Sequence, residues 1–244
     1  VISVEGRTFS VDIAYLPPDE MPGKPEDAGE VLLQALEHLF EQEKTRSVRG
    51  GDVLVFFSGE RDILEAAHYL RKQLAYNRAL QHCDIVPLYA RFTLKEQQKI
   101  FAPHTGRRIV LSTNVAETSL TVPGIRYVID FGKARVSRYS HRTRVQRLPI
   151  ENISQASANQ RAGRCGRLEA GICIRLYSES DFLSRPAFAD PEIRRTYLAS
   201  VILQMLLLRL GQVVDFPFLD PPELRHINEG YNLLAELQAV DEQR

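Results

Sequence analysis

The chain has 244 residues, 44% of them hydrophobic and 25% charged, a makeup that fits a soluble globular protein with one full domain and part of a second. Thirty-one basic residues balance 31 acidic ones, so the total charge points to neither a nucleic acid nor a membrane, and any basic site must be local. Three cysteines without C-x-x-C spacing (Cys83, Cys165, Cys173) and six scattered histidines suggest neither a disulfide framework nor a zinc site, and no apolar run approaches the ~20 residues of a membrane span. Small buried thiols in a reducing, cytoplasmic compartment are expected. The chain opens on Val1 without a signal peptide, which suggests a piece of something longer.

After a strand-like run, "RTFSVDIAYL", a Pro/Gly/Asp-rich loop covers 17–29. The run "EVLLQALEHLFEQEK" then places Leu32, Leu33, Leu36, Leu39 and Phe40 on one helical stripe. "DVLVFF" is continuously apolar, as a strand buried on both faces should be. "ERDILEAAHYLRKQL" reads as a helix through Ile63, Ala67, Leu70 and Leu74, and "CDIVPLY" as a strand. "TLKEQQKIF" opens with Thr93 and Glu96 in capping-box spacing, a helix start. "RIVLST", "IRYVIDF" and "GICIRLY" are three more buried-strand candidates. Alternating elements of this kind predict an α/β fold with a mainly parallel sheet, whose ligands collect at the carboxyl ends of the strands. Near Arg185 the composition shifts through the proline-punctuated "RPAFADPEIRR" to "TYLASVILQMLLLRL", apolar around most of its circumference and so expected to be buried on several sides. A loop and one more helix follow.

Three segments carry chemistry. In "NQRAGRCGR" (159–167), Gln160, Arg164 and Arg167 stand at i, i+4 and i+7, one face of a helix, while Arg161 points elsewhere. Gly163 and Gly166 each cost about 1 kcal/mol of helix propensity and let a phosphate or a neighbouring backbone approach closely. Two guanidiniums and an amide on such a face suit a polyphosphate: the arginines neutralise charge on a transferred phosphoryl group and the glutamine orients the attacking water. "STNVAETSLTVPGI" follows a strand and is rich in short polar groups, a weaker signal. From Phe131 to Ile150 the chain carries Lys133, Arg135, Arg138, Arg142, Arg144 and Arg147 and no acid, alternating so as to give a β-hairpin with one basic face. A nucleic-acid backbone is the natural partner of such a patch.

Together these segments resemble the second RecA-like domain of DEAH-box helicases: "VLVFFSGERDI" is similar to motif IV, "STNVAETSLT" to motif V and "QRAGRCGR" to motif VI, in the family's order and spacing. The resemblance, closest to bacterial RNA helicases of that family, implies a RecA-like three-layer sandwich over 1–184 and the truncated beginning of a winged-helix domain over 185–244. It implies that Gln160 positions the lytic water, that Arg164 and Arg167 are arginine fingers, that Ser119 lies near the γ-phosphate and that Phe101 stacks on the nucleotide base. Ser58, Thr113, Asn114 and Arg135 then become RNA contacts, and Arg138, Arg142 and Arg144 belong to a hairpin that helps part the strands. Two positions depart from the pattern. Pro123 stands where many relatives have a ribose-holding aspartate, and Phe131 replaces the usual proline after "VID".

No G-x-x-x-x-G-K-[ST] and no DEAH-like acidic motif occurs in the chain. The resemblance therefore implies that ATP and magnesium are held mainly by the first RecA-like domain of the same protein, and that this chain is inactive alone. A non-catalytic RNA-binding module is the alternative. A small-molecule α/β enzyme is the other, although neither G-x-G-x-x-G nor a nucleophile–base pair is found.

Overall fold

The computed structural model describes residues 9–46, 50–77, 80–89, 100–140, 143 and 145–241. They form two compact units, Val1–Ala134 with Ile150–Ala189 and Arg135–Pro149 with Asp190–Arg244.

The first unit is built on six strands: β1 (Val11–Tyr15), β2 (Asp52–Phe56), β3 (Cys83–Leu88), β4 (Arg107–Ser112), β5 (Ile125–Asp130) and β10 (Gly171–Arg175). They hydrogen-bond in the order β1-β10-β5-β2-β4-β3, and every pairing is parallel. The apolar runs work as a two-faced strand requires. Val53, Val55 and Phe57 pack on one side with Ile109, Leu111, Tyr127, Ile129, Ile172 and Ile174, against α1 (Ala28–Arg46) and α2 (Glu60–Gln73). Leu54 and Phe56 pack on the other with Val110, Val128, Cys165 and Cys173, beside α3 (Val115–Thr118) and α4 (Gln155–Ala162). This is the three-layer sandwich expected.

The helix α1 begins earlier than its apolar stripe because Asp27 caps it, its Oδ1 accepting from the Gly29 N–H at 2.8 Å. In α2, Glu60 and Asp62 occupy the first turn and Arg71 and Lys72 the last, each complementing the helix dipole. Helix α5 (Glu179–Ser184) follows β10 and is capped by Ser178, whose hydroxyl accepts from the Asp181 N–H at 3.1 Å. The helix expected from Thr93 falls largely outside the described residues; Ile100 and Phe101 are helical.

Burial pushes the Cys165 thiol up to about 12 and raises that of Cys173 well above its ordinary value. Both thiols therefore stay neutral in the folded unit. A raised folded pKa contributes stability that is fully present below the unfolded value, about 8.5, and is lost as pH climbs toward the folded one. Stability is thus expected to decline from about pH 9 upward, and Cys165→Ala to soften that decline, read by denaturant titrations across the alkaline range.

The second unit contains the basic hairpin. Strands β7 (Arg138–Ser140) and β8 (Val145–Arg147) pair antiparallel, with Arg138 opposite Arg147 and Tyr139 opposite Gln146. The Tyr139 ring stacks on Tyr197 at 4.3 Å, and Arg195 Nη1 donates to the Ser137 carbonyl at 3.0 Å. The short strands β6 (Lys133–Arg135) and β9 (Ile150–Asn152), which pair with each other, lead into and out of the hairpin. Helices α6 (Glu192–Arg195), α7 (Ala199–Leu207) and α8 (Leu224–Glu236) complete the unit around Leu198, Ile202, Met205, Ile227 and Leu234. The expected burial of α7 on several sides does not hold. Leu198, Ala199, Ile202 and Met205 are buried and Val201 and Leu203 pack partly beside them, but Leu207 is 74% exposed and Leu208, just past the helix, 68%.

Candidate functional site

Ser58, Thr113 and Asn114 follow strands of the first unit's sheet at its carboxyl edge, whereas Phe101 precedes β4 and the turn around Gly166 packs on Phe9 and Val11 at the start of β1. Ser58 follows β2, where its hydroxyl donates to the Asp62 carboxylate in the first turn of α2. Thr113 and Asn114 follow β4 and open α3; Thr113 Oγ1 accepts from the Val115 N–H at 3.5 Å, and Asn114 is exposed. Ser119, also exposed, closes that helix as its C-cap. From there the chain runs back to the amino ends of the sheet: Arg108 Nη2, at the start of β4, donates to the Pro123 carbonyl at 3.4 Å. Phe101, 45% exposed, precedes β4 at this amino end, and Arg108 also donates to the neighbouring Ile100 carbonyl.

The arginines of 159–167 are not all on a helix. Ser154 caps α4 by accepting from the Ser157 N–H at 3.2 Å, and the helix stops at Ala162. The N–H groups of Arg164 and Cys165 donate to the carbonyls of Arg161 and Ala162, three residues back, so the chain tightens into turns. The i, i+4, i+7 face therefore fails beyond Gln160. Gly163 is the C-cap instead of an interior residue, and Gly166 lies so close to Val11 and the Phe9 carbonyl that a Cβ would stand 2.6 and 2.8 Å from them. Gly166 thus serves close approach to a backbone.

Tertiary contacts achieve what helical spacing does not. Arg164 Nη2 donates to the Glu117 carbonyl, and Arg167 Nη1 donates to Thr121 Oγ1 at 2.7 Å. The two anchors lie two residues either side of Ser119, so both arginines are drawn onto the segment carrying it. Gln160 is exposed near the end of α4. The Nε and Nη1 of Arg164 are buried with no hydrogen-bond partner, and burial, followed by the nearby Arg167 cation, lowers its pKa. A guanidinium held this way has unused donors and a neighbouring like charge, a setting that favours an added anion.

Sequence reasoning missed Arg161, whose side chain is 0% exposed. Its Nε donates to Glu117 Oε2 at 2.9 Å and its Nη1 to Asp130 Oδ1 at 2.7 Å. Burial opposes its charge, yet Asp130 and Glu117 outweigh that and raise its pKa. One signal was available: Asp130 follows the apolar Val128 and Ile129 at the end of a buried-strand candidate, and a carboxylate buried there needs a cation.

The departures noted in sequence have structural counterparts. Only the carbonyl of Pro123 is polar, and Arg108 engages it. The Phe131 N–H donates to the Phe56 carbonyl at 3.3 Å, a bond proline cannot make, and its ring stacks on Phe57 at 4.6 Å.

In the second unit Arg138 pairs with Asp190 at 3.2 Å, and Arg135 and Arg147 are exposed. Arg142 and Arg144 lie outside the described residues.

The profile of the helicase conserved C-terminal domain matches residues 31–169. The chain belongs to the helicase C-terminal domain family. It is 56% identical over 246 residues to the ATP-dependent RNA helicase HrpA of Escherichia coli K12 and 55% identical over 241 to an HrpA homolog of Haemophilus influenzae. Those alignments cover 100% and 99% of this chain and 18% of each relative, so the chain spans under a fifth of their length. Among solved structures, the Escherichia coli DEAH/RHA helicase HrpB matches 98% of this chain and 29% of its own, with a TM-score of 0.81 and 33% identity. The helicase C-terminal family match encloses all the motif V contacts and the arginine stretch through Arg167.

Proposed function

We propose that this chain is the second RecA-like domain (1–184) and the opening of the winged-helix domain (185–244) of a cytoplasmic, ATP-dependent RNA helicase of the DEAH-box family. The observation that carries the reading is the pairing of Arg164 and Arg167 on the Ser119 segment, with two nitrogens of Arg164 left without a partner. Those donors fit the phosphates of ATP.

The donor set for magnesium is different. Among the described residues no three His, Cys, Asp or Glu side chains are grouped to hold a metal, and Glu117 and Asp130 are taken by Arg161. In this reading the metal and the phosphate cradle belong to the first RecA-like domain of the same protein, since no G-x-x-x-x-G-K-[ST] occurs in this sequence. In this reading Arg164 and Arg167 neutralise charge developing on the γ-phosphoryl group, Gln160 orients the attacking water, and Ser119 stands beside both. Phe101 offers an aromatic face to the base. Ser58, Thr113, Asn114 and Arg135 face the RNA backbone, and Arg138, Arg142 and Arg144 contribute a basic hairpin that helps part strands.

The test is ATP turnover by the full-length protein with and without RNA, beside the purified chain alone. Turnover raised by RNA in the former and none in the latter is expected. RNA binding by the full-length protein without hydrolysis would instead make it a non-catalytic RNA-binding module.

The hairpin carries its own expected result. Replacing Arg138, Arg142 and Arg144 together by alanine should flatten the log–log salt dependence of RNA binding by about 0.7 for each single-strand phosphate that is no longer neutralised. Unwinding should fall more than ATP hydrolysis. An unchanged slope with normal unwinding would leave these arginines as solvated surface groups.

A further inference from the structure

We propose that Arg161, with Glu117 and Asp130, is the strut through which an RNA-contacting turn acts on the arginine-bearing segment, making Arg161 a positioning residue for RNA-stimulated ATP turnover. The inference rests on the proposed function and assigns it a residue outside the arginine pair.

Four parts of the first unit meet at this side chain. From α4, Arg161 reaches Glu117 on α3, Asp130 at the end of β5, and, past the turn that follows, the Lys133 carbonyl at the start of β6 at 3.3 Å; its guanidinium also lies 4.8 Å above the Phe56 ring at the end of β2. Each contact has a second function. The Glu117 carboxylate also accepts from Ser157 Oγ at 2.7 Å, while its carbonyl receives Arg164. Asp130 also accepts from the Gly132 N–H at 2.8 Å and the Tyr177 hydroxyl at 3.3 Å.

The turn itself is held tightly. Gly132 has φ +71°, and the Tyr177 ring fills the space a Cβ would need, at 2.5 Å. Its carbonyl accepts from Arg185 Nη1 and from the Ile153 N–H, both at 3.0 Å. Ala134, one residue before Arg135, is buried with Ala158 of α4. A displacement of this turn therefore carries Asp130 and the Lys133 carbonyl with it, and both are bonded to Arg161. Through Glu117 the same guanidinium reaches the residue whose carbonyl holds Arg164.

Stability alone does not account for such a triad. Apolar residues of similar volume commonly replace buried ion pairs without loss, whereas directional bonds to several elements fix their relative positions. Spatial intermediacy by itself is only an association, so the test must measure coupling.

In the full-length protein, Arg161→Lys keeps the charge but cannot span both carboxylates and the carbonyl, and Glu117→Gln keeps the shape but removes one charge. For each, the ratio of turnover at saturating RNA to turnover without RNA is expected to fall about tenfold, with the KM for ATP and the Kd for RNA held within about threefold. If Arg161→Lys does not fold, as thermal melting reports, Glu117→Gln carries the test. RNA-free and RNA-stimulated turnover falling by the same factor would overturn the inference and leave the triad structural. A parent protein with no RNA stimulation would overturn the proposed function first, and this inference with it.

Discussion

Arg164→Ala in the full-length protein is expected to lower RNA-stimulated ATP turnover by ~10³ or more, the scale of an arginine finger. The physical reason lies in how the side chain is held. One nitrogen is anchored to the Glu117 carbonyl, two are buried without partners, and burial together with Arg167 destabilises the cation. An anion that appears during reaction relieves that strain more than one already present in the ground state, so the loss falls on kcat. Arg164→Lys keeps a charge but loses the planar fork, and should recover only part of the rate. RNA affinity should change by about threefold or less, since hairpin and loop contacts to phosphate supply most of it. Equal losses of RNA binding and turnover would make Arg164 an RNA ligand.

The second large effect concerns stability. Arg161→Ala leaves the buried carboxylates of Glu117 and Asp130 without their shared cation. Breaking one member out of a buried ion network costs about 3–5 kcal/mol. For a unit of this size each kcal/mol is worth about 2–4 °C, so the melting temperature should drop by about 10 °C. Arg194→Ala is the contrasting case. Its partner Asp220 is 3.4 Å away and both side chains are about half exposed, so melting should be unchanged. Calorimetry of the two variants separates them; equal melting temperatures would mean that the Arg161 triad contributes nothing to the fold.

These residues also show what was legible in the sequence. Strands β2, β4, β5 and β10 were readable because a strand covered on both faces carries an apolar run at its centre, and Val53 to Phe57 divide between the two cores as that reading requires. The hairpin was readable from alternation, and its register now sets Arg138 against Arg147. The end of α4 was not. Glycine inside a helix and glycine at its C-cap look alike in one sequence, so the spacing of Gln160, Arg164 and Arg167 suggested a face that the turn at Gly163 abolishes. Arg161 was overlooked for a related reason: Glu117 and Asp130 lie 44 and 31 residues away, beyond any local pattern. In α7 an apolar circumference implied burial on several sides, yet Leu207 and Leu208 are exposed. Periodicity reports which residues can be buried, and the neighbours decide which are.

In the proposed function, Arg164 and Arg167 act on a nucleotide whose phosphates are held by another part of the protein, as charge develops on the phosphoryl group. The most direct measurement is the affinity of the full-length protein for ADP with and without aluminium fluoride, which mimics the phosphoryl group in flight, in the parent and in Arg164→Ala with Arg167→Ala. The parent should bind the mimic at least about 10²-fold more tightly than ADP, and the variant should lose that preference with its ADP affinity unchanged. A variant that keeps the full preference, or that loses ADP and mimic binding equally, would contradict it.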